Sequence, residues 1–263
     1  MVRDKQKKNN YQKEYYQQNP ERRKEYMKQY NIKRYENALQ SLYTGVILNI
    51  SLWSSWFTKK SMSGKITYDI TATEGFDLMA KKCFYCGEFA ITLDRLDSNL
   101  THTYDNCVGC CDFCNSSKGA LDPKTFILQA VYRRTFIYYE DEDIWHNNKY
   151  KSNWENAKRR VLSQNRPFDL SKEQYLGYLT NMCHYCQRMP PKGKFFGVDK
   201  IDPDGGYVCR NCVSACASCN QAKWDYSVEE FTLRDERITQ RYLEGYFDTM
   251  PFVPKNTSYR RKI

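Results

Sequence analysis

The chain has 263 residues, with 41 Lys+Arg against 31 Asp+Glu, a formal net charge of +10. An apolar content of 41% with 15% aromatics excludes global disorder and leaves room for one large or two small domains. The most apolar run, Gly45 to Phe57, is broken by Asn49, Ser51, Ser54 and Ser55 and falls short of the roughly 20 residues that cross a bilayer. With a polar start and no h-region, a membrane or secreted protein is not expected.

Residues 1–40 hold eleven Lys/Arg and five acids, and Tyr11, Tyr15, Tyr16, Tyr26, Tyr30 and Tyr35 are interleaved with them. The fourfold spacing predicts helices broken at Pro20, a basic Tyr-rich arm that tracks phosphates or is a solvated or coiled-coil face. Residues 41–68 connect this arm to the first of two cysteine blocks. In residues 69–131, Thr71-x-x-Glu74 has capping-box form and starts a short helix leading into Cys83-x-Tyr85-Cys86. Leu93 to Asp97 reads as a strand, Ser98-Asn99 as a turn, and the segment around Asn106 as a second strand. Cys111-x-x-Cys114-Asn115-x-x-Lys118 then opens a helix, and Asp122-Pro123 starts another.

Residues 132–168 read as a helical linker whose acidic run, Glu140 to Asp143, has no His or Cys beside it. Residues 169–248 then repeat the first block. Ser171-x-x-Gln174 and Cys183-x-Tyr185-Cys186 match their counterparts at a shift of 100. At a shift of 105, Val198-Asp199-Lys200-Ile201-Asp202, Asn211-Cys212-Val213 and Cys216-x-x-Cys219-Asn220-x-x-Lys223 match as well. A turn at Pro203 to Gly206 and a helix starting at Ser227-x-x-Glu230 complete the second copy. The tail, 249–263, ends basic, with Lys255, Arg260, Arg261 and Lys262 and no acid after Lys255. The two ends together carry the whole net charge, leaving residues 41–254 neutral, a distribution suited to holding a polyanion.

Twelve cysteines without a sign of export favour metal binding in a reducing, intracellular compartment, whether host cell or virion, over disulfides. A duplicated metal site keeps its ligands in register. That assigns two structural Cys₄ zinc sites, Cys83, Cys86, Cys111, Cys114 and Cys183, Cys186, Cys216, Cys219. Cys107 and Cys212 read as small buried hydrophobes, and Cys110 and Cys209 as incidental. The fold class is therefore α+β, two tandem zinc-stapled modules with a helical arm and linker.

Each copy also sets an Asp on the hairpin (Asp94, Asp199) 21 positions before an Asn (Asn115, Asn220), with Lys118 or Lys223 one helical turn on. A carboxylate facing an amide oxygen can hold Mg²⁺, with the lysine toward a phosphate. The bland alternative is that the Asp caps a turn and the Asn a helix. Taken together, these motifs resemble the zinc-stapled HNH endonucleases of the ββα-metal class, endonuclease VII-like and phage or large-DNA-virus members, over about half of the chain. The resemblance implies Asp94, Asn115, Asp199 and Asn220 as ligands of a catalytic Mg²⁺ or Mn²⁺. It makes Asn106 and Asn211 the middle Asn that orients the loop. Where the family has a general-base His, this chain has Arg95 and Lys200. Arginine cannot take a proton, and lysine only if burial lowers its pKa sharply, so both are expected to bind nucleic acid, with His102 or Asp97 and Tyr207 or Asp202 as substitute bases. Three functions follow in order: a DNA endonuclease, a catalytically inactive nucleic-acid-binding protein on the same scaffold, and a zinc-stabilised structural or virion protein. Nucleic acid, DNA in particular, is the expected partner; no membrane is, and no protein partner is specified.

Overall fold

The computed structural model describes residues 68–137, 144–146 and 153–259, together with Gln29 and Lys33. The chain divides into two units, Met1–Lys65 and Ile66–Ile263, and all that follows concerns the second. Apart from Gln29, Lys33 and Tyr68, the basic arm and the connecting segment lie outside the described residues, as do the acidic run Glu140 to Asp143 and Arg260 to Ile263. None of the described helices is long and apolar enough to cross a membrane.

The first half begins with β1 (Tyr68–Asp69) and α1 (Ala72–Ala80). Thr71 caps α1 reciprocally with Glu74, at 3.3 and 2.7 Å, as the capping-box motif predicts. β2 (Thr92–Arg95), β3 (His102–Thr103) and β4 (Cys107–Cys110) follow, then α2 (Asp112–Lys118) and α3 (Pro123–Thr135). β2 and β4 form an antiparallel pair in which Asp94 faces Val108, while β3 pairs in parallel with β1. α1 lies directly on β4. A Cβ at Gly109 would come 2.2 Å from the Leu78 carbonyl, so only glycine permits that approach.

The same order recurs after α4 (Trp154–Leu162). It comprises β5 (Phe168–Asp169), α5 (Lys172–Thr180), β6 (Gly197–Lys200), β7 (Tyr207–Val208), β8 (Cys212–Ala215), α6 (Ala217–Lys223) and α7 (Val228–Leu243). β6 pairs antiparallel with β8, Asp199 facing Val213, and β5 pairs in parallel with β7. Ser171 and Ser227 cap α5 and α7 through Gln174 and Glu230. The parallel two-residue pairings carry no alternating pattern that sequence could reveal; they form where the chain entering each half crosses its hairpin loop.

The two halves do not keep separate cores. α3 and α7 pack on each other, and each also feeds the opposite half. Leu128 and Tyr132 of α3 join Cys183, Tyr185 and Phe231 in one apolar cluster. Ile238 of α7 joins Cys83, Tyr85 and Phe126 in a second. Between the helices Arg133 grips Asp235 through two nitrogens, at 2.5 and 3.2 Å, and Arg234 joins the same carboxylate at 2.8 Å. The Arg234 guanidinium lies over Phe113, Phe126 and Phe231 at 4.2–5.5 Å from the ring centres. The tail runs back onto both halves: Asn256 donates its backbone N–H to Asp122 of the first at 2.9 Å, and the Tyr259 hydroxyl donates to Ser218 O of the second at 2.9 Å.

Candidate metal centres and the hairpin carboxylates

Two Cys–x–x–Cys loops meet in each half. The sulfurs of Cys83, Cys86, Cys111 and Cys114 lie within 4.8 Å of one another, as do those of Cys183, Cys186, Cys216 and Cys219. Local backbone geometry builds both clusters alike. Gly87 and Gln187 N–H donate to Cys83 and Cys183 O at 2.9 Å, closing each leading knuckle. Cys111 and Cys216 cap α2 and α6, their sulfurs accepting from Cys114 and Cys219 N–H at 3.3 and 3.4 Å. Four soft sulfur donors, converging and almost wholly buried, suit a tetrahedral thiolate-bound ion such as zinc. The remaining cysteines divide. Burial pushes the Cys107 and Cys212 thiols up to about 12, so they are inert packing groups. Cys209 is exposed. Cys110 is fully buried with its sulfur 3.9 Å from that of Cys83, at the strand position that Ala215 fills in the second half.

The hairpin carboxylates sit against these clusters. Asp94 is buried; its Oδ2 accepts from the Tyr85 hydroxyl at 2.7 Å and faces Lys118 Nζ at 3.0 Å, while Oδ1 accepts from the same ammonium at 3.1 Å. Burial pushes the Asp94 carboxyl up, and the adjacent Lys118 charge opposes the shift. In the second half Tyr185 donates to Asp199 Oδ2 at 2.6 Å, and Lys223 Nζ lies 3.4 Å from that oxygen. Both lysines also donate to a β-strand carbonyl, Arg95 O or Lys200 O, at 2.8 Å. Tyr85 and Tyr185 were visible in sequence as the shared Tyr of Cys-x-Tyr-Cys, but nothing in the spacing assigns them a carboxylate.

These contacts correct the reading of four basic residues. Lys118 and Lys223, placed by spacing toward a phosphate, are entirely buried, because a carboxylate taken out of water needs an opposite charge beside it. Arg95 and Lys200, expected on nucleic acid, are more than nine-tenths buried and turn into their own hairpin loops. Arg95 donates to Leu100 O at 2.8 Å, and Lys200 to the carbonyls of Pro203 and Gly205. Burial and the nearby Arg166 charge press the Lys200 ammonium down from its ordinary value. Asn106 and Asn211 brace the same loops. Their Oδ1 accepts from Asp97 and Asp202 N–H at 2.9 and 2.8 Å, and their Nδ2 donates to two loop carbonyls each.

The two halves part at the last Asn. Asn115 Nδ2 donates to Thr92 Oγ1 at 2.9 Å and Leu93 O at 3.1 Å. Gly197 replaces Thr92, so Asn220 has no such brace; among the described residues it opens instead into a groove of about 760 Å³. Asp199, Lys200, Arg160, Arg166 and Trp224 line this groove as well. Arg160 and Arg166 flank it from α4 and the turn after it, which sequence read only as linker. With both oxygens of Asp94 engaged, a divalent ion does not fit there unless Lys118 leaves. At Asp199 the bonds fall on Oδ2, leaving Oδ1 and the Asn220 amide as oxygen donors that suit Mg²⁺ or Mn²⁺.

No protein-family model matches the chain. It is similar to the uncharacterized protein R423 of Acanthamoeba polyphaga mimivirus, 31% identical over 176 residues that make up 64% of this chain and 33% of that protein. It is also similar to the SPbeta prophage-derived putative HNH endonuclease YoqL of Bacillus subtilis (strain 168). That match is 28% identical over 111 residues, 38% of this chain and 48% of the relative. A solved structure of the rare-cutting HNH restriction endonuclease PacI aligns with 41% of this chain and 91% of its own, at 22% identity and a TM-score of 0.28. The chain thus spans about a third to a half of the length of these curated relatives.

Proposed function

We propose that this chain is an HNH-like endonuclease that hydrolyses phosphodiester bonds of DNA with Mg²⁺ or Mn²⁺. In this reading its two halves are tandem copies of a zinc-stapled module of the endonuclease VII-like kind, and the second copy carries the working site. The observation that supports it most is the groove in which Asp199 and Asn220 open beside Arg160 and Arg166. A bound divalent ion would supply charge neutralisation at the phosphate and lower the pKa of its water. The protein's own residues hold the rest. Tyr185 and Lys223 fix the Asp199 carboxylate by its Oδ2, Asn211 and Lys200 stiffen the loop beside it, and the two arginines offer charge to the strand. The viral and prophage relatives support a setting in an infected host cell or a virion.

The first copy favours the second reading for itself. An Asp94 saturated by Lys118 and Tyr85 makes it a scaffold module without catalysis. Nicking of supercoiled plasmid by zinc-loaded protein with added Mg²⁺ separates these roles. Asp199→Ala should abolish nicking with zinc content intact. Zinc-loaded, folded protein that binds DNA with a salt-sensitive gel shift yet never nicks it would leave the whole chain a binding protein.

A further inference from the structure

The residue after α2 is Gly119, at φ 55° and ψ −121°. That is the first central position of a II′ turn, which glycine occupies without strain. The equivalent residue after α6 is Trp224, at φ 53° and ψ −134°. A bulky side chain in this region is a true outlier and costs conformational energy. Packing covers only about half of the side chain. Trp224 is 50% exposed, a large aromatic surface left in solvent. Strain and exposed aromatic surface thus coincide at one position of the groove that Asp199, Asn220, Arg160 and Arg166 also line. Local rules broken together without compensation mark a functional position.

We propose that Trp224 is a stacking platform for a nucleobase turned out of its helix, which positions the strand in the second-half groove. The inference rests on the nucleic-acid reading of that groove and deepens it. An indole held half in solvent presents a flat π-face to any base, while the two guanidinium groups meet the flanking phosphates. The strained backbone fixes the ring at the groove wall instead of letting it fold back on the protein. The occupant is therefore a single-stranded or locally opened strand, and a fully stacked duplex would gain nothing from the ring.

The test compares an oligothymidylate with an abasic strand of equal phosphate number, binding to the full zinc-loaded chain at one salt concentration. Wild type should prefer the oligothymidylate by about tenfold or more. Trp224→Gly, which installs the residue the first half already has, should bind both strands alike, and Trp224→Phe should keep most of the preference. Zinc content and circular dichroism check that each variant is folded. A folded Trp224→Gly that retains the full preference, or a wild type without one, overturns the stacking site while leaving the groove a nucleic-acid site. A wild type that binds neither strand nor duplex overturns the nucleic-acid reading and the stacking site with it.

Discussion

At the scale of single residues, buried charge decides what the hairpin carboxylates do. Asp94 and Lys118 compensate each other out of water, so removing one partner leaves the other stranded. Lys118→Met and Asp94→Leu should each cost about 3–5 kcal/mol, whereas the double variant should recover most of that loss. Urea midpoints of the zinc-loaded proteins read the cycle, and additive losses would mean that the pair carries no mutual compensation. Trp224 presents the opposite case, a residue the fold would be better without. Trp224→Gly relieves a left-handed bulky residue and should raise stability by about 1 kcal/mol, seen as a higher Tm in calorimetry. A lower Tm would show that the indole contributes packing which its exposure hides.

At the scale of elements, the short helices depend on the cysteines twice over. Cys111 and Cys216 both cap α2 and α6 and contribute to the sulfur clusters, so loss of a bound ion frees a helix start as well as a loop. Apolar side chains of α3 and α7 cross into the opposite cluster, which ties each helix to the other half's cysteines. Cys183→Ser should therefore lower the thermal stability of the whole 68–259 unit in one transition, with metal content falling by at least one equivalent. Two separated transitions would show that the halves melt independently. Chelation of the wild-type protein should act in the same direction, since thiolate-bound metal is folding energy in a site this small.

At the scale of the molecule, the C-terminal tail and the α3–α7 seam close the structure. Asn256 joins Asp122 and Ala120 of the first half, and Tyr259 joins Gln129 and Ser218 across both halves. Asn256→Ala leaves the Ala120 carbonyl without that donor and should cost about 1–3 kcal/mol, measured by denaturant unfolding. An unchanged midpoint would place the tail outside the cooperative unit. Arg133 and Asp235, from different halves, make the seam specific as well as apolar.

What was legible in sequence follows from local chemistry repeated at fixed offsets. The capping boxes at Thr71, Ser171 and Ser227 name their own helix starts, because donor and acceptor lie three residues apart. Two Cys–x–x–Cys pairs in each copy, kept in register, pick out of twelve cysteines the eight that cluster, since a tetrahedral site admits few spacings. Asn106 and Asn211 stood out by recurrence alone. Only the tertiary structure decided where the charges point. Whether Lys118 reaches a phosphate or Asp94 depends on how far the hairpin closes over α2, a distance set by packing across 24 residues of chain. The interlocked cores, the groove walls from α4 and the opening at Asn220 arise likewise from contacts between segments far apart in sequence. Local propensity carries no record of such contacts; burial and charge compensation choose among them only when the whole unit has closed.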